Sequence, residues 1–245
     1  MLCPGQTLNR LTAEEKQAGW ELLFDGQTTT GWHSPSSDQF PEPYWTVADG
    51  SLKGGRIGNR ATDLVTAAKY RNFELTFEWK ISPGGNSGVK YFVGSSQKLV
   101  FEDNKPPSRE GTVTPGPNAF FMESTSGFEF QTIDDSRHPD KDDPKTRSGS
   151  LYQFAGPAGI HAKPAGEWNQ SRIFVDGTHI EHWLNGAKVA EMDTASSAFQ
   201  DALSKVPGRS RRVADYLNRD CPIALQSHTG EAWFRNLKLR KLPTR

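Results

Sequence analysis

Cysteine is nearly absent. The 245 residues hold two, Cys3 and Cys221, and neither belongs to a C-x-x-C pair, which argues against a thiolate metal centre or a dithiol redox site. They read as free thiols, with a Cys3–Cys221 bridge in an oxidising compartment as the alternative and a lipid-anchored end as a third use for Cys3. Long apolar runs are missing too: none approaches the ~20 residues that cross a bilayer, so no membrane span is expected. Neither sign of charge is in excess, Lys+Arg and Asp+Glu standing at 29 each, so no broad footprint for nucleic acid is expected. Met1 to Arg10 is too short and polar for a secretory leader, although an exported chain whose leader has been removed reads the same way.

What is abundant is aromatic. Seven tryptophans and an aromatic share of 11% sit within a hydrophobic fraction of only 34%, a mix that suits a sheet protein with many turns and an aromatic-lined groove. Thr12 with Glu15 three residues on predicts a capping box and a short first helix. Asp49-Gly50, Asp176-Gly177 and Asn185-Gly186 predict tight hairpins, the last two making a meander of 168–175, 179–184 and 188–190. Along 72–81, Phe73, Leu75, Phe77 and Trp79 alternate with Glu74, Thr76, Glu78 and Lys80, the period of a strand. About a dozen such strands predict an all-β, two-sheet sandwich as one domain over 1–245, with its core about 20–242. Two stretches interrupt the pattern. Residues 97–126, rich in Pro, Gly, Ser and charge, read as a long excursion, a lid at one end of the sheet. Residues 196–220 read as a helical excursion broken at Pro207-Gly208.

The polar chemistry is concentrated in GFEFQTIDDSRHPDKDDPKTRSGSLY, residues 127–152. Strand alternation sets Glu129 and Gln131 side by side on the face opposite Phe128 and Phe130, and burying such a pair unpartnered costs several kcal/mol. An acidic loop follows with Asp134, Asp135, His138, Asp140, Asp142 and Asp143. A solvated strand face and an acidic surface loop are the plainer reading. A divalent cation on Asp134, Asp135 and His138 is a use the residue types allow.

The strings ELLFDGQTTTGW, WTVADGSLKG, NFELTFEWKISPGGNSGVKYF, FEFQTIDD, GSLYQ, KPAGEWNQSRIFVDG, HWLNGAKV and IALQSHTGEAWFRNLKLRKL occur in order. Together, from about Trp20 to Leu242, they closely resemble the 3-keto-disaccharide hydrolase domain family, once known only as a domain of unknown function. The resemblance implies a jelly roll of the concanavalin A-like lectin/glucanase type with short helical insertions. It also implies an exported bacterial protein (periplasmic, extracellular or an outer-membrane lipoprotein), a carbohydrate ligand, and action on glycosides carrying a ring ketone. Ser227 stands where the family often has Asp, and both excursions look long for it.

A ketone at ring carbon 3 acidifies the hydrogen at carbon 2, so a base can remove it and the glycosidic oxygen can leave from carbon 1 before water adds back. Such a site needs a base, a donor for the enolate oxygen and an acid for the leaving group. On the resemblance, Glu129 is the base, and Lys90, Gln131 and Gln226 are donors to the enolate or to sugar hydroxyls. His228 or His138 is the acid, and Asn86, Asp134 and Tyr152 are further substrate contacts; no resident cofactor or metal is required. Plainer roles stand beside these: a structural His228, a solvated Lys90, core positions for Trp168 and Trp183, buried ion pairs for Arg172 and Arg235. A non-catalytic carbohydrate-binding module is the alternative of a different class. A conventional glycosidase, with its two acids roughly 5–10 Å apart, lacks an evident second carboxylate beside Glu129.

Overall fold

The computed structural model describes residues 8–102, 107–206 and 212–243. Turn chemistry builds its first layer. Asp49 and Gly50 adopt φ of 50° and 69°, the left-handed pair that matches a two-residue hairpin to strand twist, and they join Trp45–Ala48 to Ser51–Gly55. Asn185 and Gly186 repeat the device between His179–Leu184 and Ala187–Asp193. With Asn169–Asp176 these two strands form the expected meander at one edge of an eight-stranded antiparallel sheet. At its middle, Phe73–Ile81 lies between Asn169–Asp176 and Glu231–Lys241. Thr12 and Glu15 form the capping box of the helix Ala13–Gln17, and Glu15 also pairs with Lys238.

A five-stranded sheet packs against this layer, in the order Phe128–Ile133, Asn86–Tyr91, Ala224–Leu225, Leu64–Thr66, Trp32–His33. The core lies between the two, where Phe77 meets Phe130 at 5.4 Å and Phe73 meets Tyr91 at 6.0 Å, both edge to face. Each fully buried ring of this kind contributes roughly 1.5–3 kcal/mol. The all-β sandwich is therefore present as the alternation predicts.

Residues 97–126 differ from the expected excursion. Ser96–Phe101, Ser108–Arg109 and Phe120–Thr125 join Arg60–Thr62 in a third, four-stranded sheet, with Arg60–Thr62 and Phe120–Thr125 parallel. Their pairing is non-local, so the polar linkers mask it in the sequence. Residues 196–220 hold the helix Ser197–Lys205, capped by Ser196, and a 3-10 turn at Arg212–Asp215. Pro207-Gly208 and Cys3 lie outside the described residues, and with them the expected alternative of a Cys3–Cys221 bridge; Cys221 is buried.

The outward face of the large sheet corrects the tryptophan reading. Trp168 and Trp183 are half-buried there, beneath the guanidinium groups of Arg235 and Arg172 at 3.8 and 5.4 Å, and neither enters the core nor the groove described below. Arg235 and Arg172 in turn pair with Glu78 and Glu74 at 2.7 and 2.6 Å, the ion pairing that a charge inside an apolar strand demands.

Behind the five-stranded sheet, His182 is fully enclosed. Its Nδ1 faces the Gly149 carbonyl at 3.1 Å and its Nε2 meets the Tyr91 hydroxyl at 2.9 Å, which makes Nδ1 the donor and Nε2 the acceptor. Burial pushes this imidazole from 6.5 down to about 4, against the pull of the Gly149 and Ser150 carbonyls. The unfolded chain then binds a proton between pH 6.5 and 4 that the folded chain refuses. Stability is thus fully present above pH 6.5 and falls by about 3 kcal/mol toward pH 4. Urea unfolding across that window should show the loss, and His182→Gln should flatten it; an unchanged slope in the variant would assign the acid sensitivity elsewhere.

Candidate active site

Period-two alternation carries one row of polar side chains to the outer face of the five-stranded sheet. Antiparallel register sets Glu129 opposite Lys90 and Gln131 opposite Gly88, with Lys90 also opposite Ala224. Two residues on from Ala224, Gln226 points the same way. The groove above them has a volume of about 480 Å³, within the range of small-ligand sites. Asn86, Lys90, Glu129, Gln131, His138, Tyr152, Gln226 and His228 all line it. Of the residues expected to contact substrate, only Asp134 is absent.

Glu129 lies flat because its neighbour has no side chain. A Cβ on Gly88 would overlap the Glu129 carboxyl, standing 2.7 Å from its Cγ. With the Gln226 amide taken in the orientation that matches donor to acceptor, its nitrogen donates to Glu129 Oε1 at 3.1 Å and its oxygen accepts from Lys90 Nζ at 3.2 Å. The Gln226 backbone is held separately, its N–H by the Gly88 carbonyl and its carbonyl by the Ser87 hydroxyl.

Lys90 is placed differently from its expected role as a donor to substrate. Its side chain is 2% exposed. The ammonium donates to Asp63 Oδ2 at 2.9 Å, Ser124 Oγ at 3.0 Å and the Thr125 carbonyl at 3.2 Å, in addition to Gln226. Four acceptors for three hydrogens leave none for a sugar oxygen. Lys90 is a buried cation in the floor of the groove, and its influence passes through Gln226.

His138 caps the 3-10 turn Pro139–Asp142, its Nδ1 accepting from the Asp140 amide at 3.2 Å. A second proton on the ring would break that bond. Burial also holds the imidazole below its ordinary range, against the raising charges of Asp140 and Asp134. Its Nε2 lies 3.3 Å from the Asn86 amide nitrogen. His228 is the better candidate acid: it stands edge-on to the stacked pair Phe101 and Phe120, at 5.0 and 5.1 Å, with Nδ1 on the Thr229 hydroxyl.

Asp134 turns away from the groove. It accepts from the Gly84 amide at 2.8 Å and from the Ser136 hydroxyl and amide at 2.6 and 3.0 Å, and so clamps the PGGN corner. Burial raises its pKa, but those bonds and the Arg137 charge outweigh it and hold the carboxyl low. In Asp135 burial prevails over the Ser148 amide bond and the pKa is raised. Both acidic-loop carboxylates are thus engaged with backbone amides. Among the described residues, the group whose ligand atoms do converge, within 4.8 Å, is His179, Glu181 and Glu191. There the Lys188 ammonium already lies 2.6 Å from Glu191 and 3.4 Å from Glu181.

Sequence reasoning missed Asp63, Thr125 and Phe101 as site residues, and placed Asp140 in the acidic loop without giving it a role. A signal for Asp63 existed: it is an acid between the apolar strand residues Ala61 and Leu64-Val65, as Lys90 is a cation between Val89 and Tyr91, and lone opposite charges in buried strands need partners.

A model of the 3-keto-alpha-glucoside-1,2-lyase-like domain matches residues 19–240. A 3-keto-disaccharide hydrolase of Bacteroides thetaiotaomicron is 33% identical over 242 residues, covering 91% of this chain and 79% of that protein. Among solved structures, a proposed glycosyl hydrolase from Parabacteroides distasonis has a TM-score of 0.76 at 28% identity, covering 97% of this chain and 100% of the other. A second from the same species has a TM-score of 0.62 at 26% identity, covering 91% and 99%.

Proposed function

This chain belongs to the 3-keto-alpha-glucoside-1,2-lyase-like domain family, and on that premise we propose that it cleaves 3-keto-disaccharides and related 3-keto-glycosides by elimination followed by hydration. The observation that carries the reading is the Glu129 carboxylate, fixed over Gly88 by the Gln226 amide and opening onto a groove rich in amide and imidazole groups. Glu129 takes the hydrogen at carbon 2, and the electron pair becomes the carbon 1–carbon 2 double bond as the glycosidic carbon–oxygen bond breaks. His228 supplies the proton that the leaving oxygen needs. Water then adds at carbon 1, carbon 2 regains a proton, and the balance is one water consumed for one glycosidic bond. Gln131, Asn86 and Tyr152 hold the sugar and the oxygen that bears charge in the enolate.

Asp140 also lines the groove, and with Glu129 it would make the two-acid pair of a direct glycosidase. Cleavage in deuterated water separates the readings: elimination and hydration place deuterium at carbon 2 of the released keto-sugar, and direct displacement leaves that carbon protiated. An unlabelled product from an active protein would overturn the proposal in favour of the Glu129/Asp140 pair. Binding with neither turnover nor exchange would point to a carbohydrate-binding module.

A further inference from the structure

Stability does not account for the buried Asp63–Lys90 pair. Such pairs are often matched or bettered by apolar residues of similar size, and Asp63 Oδ1 finds no donor among the described residues. What the pair does determine is the direction of one amide. Gln226 stands between Lys90 Nζ and Glu129 Oε1, and an ammonium only donates, so the amide end that faces it must be the oxygen. The nitrogen is then forced toward Glu129. Asp63 holds the cation in place from the other side, its Oδ2 also receiving the Thr125 amide and hydroxyl at 2.8 Å each. Because the Gln226 backbone is tied independently to Gly88 and Ser87, the side-chain amide is the part left for Lys90 to orient.

We propose that Asp63 and Lys90 are positioning residues for the general base, locking the Gln226 amide oxygen-inward so that an N–H donor always meets Glu129 and favours its ionised form. The inference rests on Glu129 being the base. The other titratable groups lining the same groove are His138 and Asp140 from the loop after its strand, Tyr152, and His228 from beyond Ala224–Leu225, two strands away; the Glu129 titration is read with all of them present.

The test is carbon NMR titration of the Glu129 carboxyl in protein with labelled glutamate, assigned by its loss in Glu129→Gln, alongside the pH profile of kcat/KM on a 3-keto-disaccharide. Asp63→Asn with Lys90→Met removes both charges together, leaves no lone buried ion, and frees the amide to rotate. The proton affinity of Glu129 should rise about tenfold, the worth of one charge-assisted hydrogen bond, and the acid limb of kcat/KM should move with it. Gln226→Met, which keeps the ion pair, should give the same shift, and adding it to the double variant should add nothing. An unmoved Glu129 titration, or a further shift on adding Gln226→Met, overturns the inference. A moved titration with an unmoved acid limb upholds the positioning and overturns Glu129 as the base.

Discussion

Glu129→Gln should lower turnover by roughly 10²–10⁴-fold, the usual worth of a general base, while substrate affinity stays within a few-fold. The substitution is close to isosteric, and its amide oxygen can still accept the Gln226 N–H that reaches Oε1 at 3.1 Å. The shelf above Gly88 accommodates it equally well, and the ion pair below is untouched. Only the capacity to take a proton is lost. Steady-state rates with a 3-keto-disaccharide, and ligand binding measured separately by calorimetry, give the two quantities. A variant keeping more than a tenth of the rate would remove Glu129 from the chemistry. A parallel collapse of affinity would make it a binding residue instead.

The largest stability change is expected from Lys90→Met alone. It leaves the Asp63 carboxylate, 0% exposed, without its cation, and breaking a buried pair from one side costs about 3–5 kcal/mol. For a domain of this size that lowers Tm by roughly 6–20 °C. Adding Asp63→Asn should recover most of the loss, because the uncompensated charge disappears and the Thr125 donors still have an oxygen to meet. Thermal unfolding of the wild type, both single variants and the double variant completes the cycle. If the single Lys90→Met variant were as stable as the double, the pair would carry no coupling, and the floor of the groove would rest on packing alone.

How much of this was legible beforehand depended on the range of the interaction. FEFQTI alternates strictly, so the separation of Glu129 and Gln131 from Phe128 and Phe130 could be read directly, as could the hairpins at Asp49-Gly50 and Asn185-Gly186. Each is settled within a few residues by backbone geometry. The eight groove residues were individually visible, His138 in the acidic loop and the other seven as polar residues in or beside strand-like stretches. Their partners were not: Asp63 lies 27 residues from Lys90 and 62 from Thr125, and register across separate strands decides such meetings. The small third sheet escaped for the same reason, its parallel pairing of Arg60–Thr62 with Phe120–Thr125 leaving no local period. Trp168 and Trp183 misled in another way. Aromatic residues prefer burial, and the arginines that cover these two from outside are recruited from the strands Asn169–Asp176 and Glu231–Lys241.

The place of Glu231–Lys241 within the large sheet, hydrogen-bonded on either side to Phe73–Ile81 and Ser51–Gly55, bears on how the molecule is made. A ribosome delivers the chain from its N-terminal side, so Phe73–Ile81 emerges with both edges open, one awaiting Asn169–Asp176 and the other the still later Glu231–Lys241. The 149 residues between Ile81 and Glu231 take roughly 8–30 s to synthesise at 5–20 residues per second. Throughout that interval a nine-residue strand, apolar on one face, presents unpaired amides and carbonyls, the kind of surface that recruits strands from other chains. The nascent protein therefore depends, for that time, on being kept apart from its own copies, and the sheet closes only when the strand after Gly230 arrives.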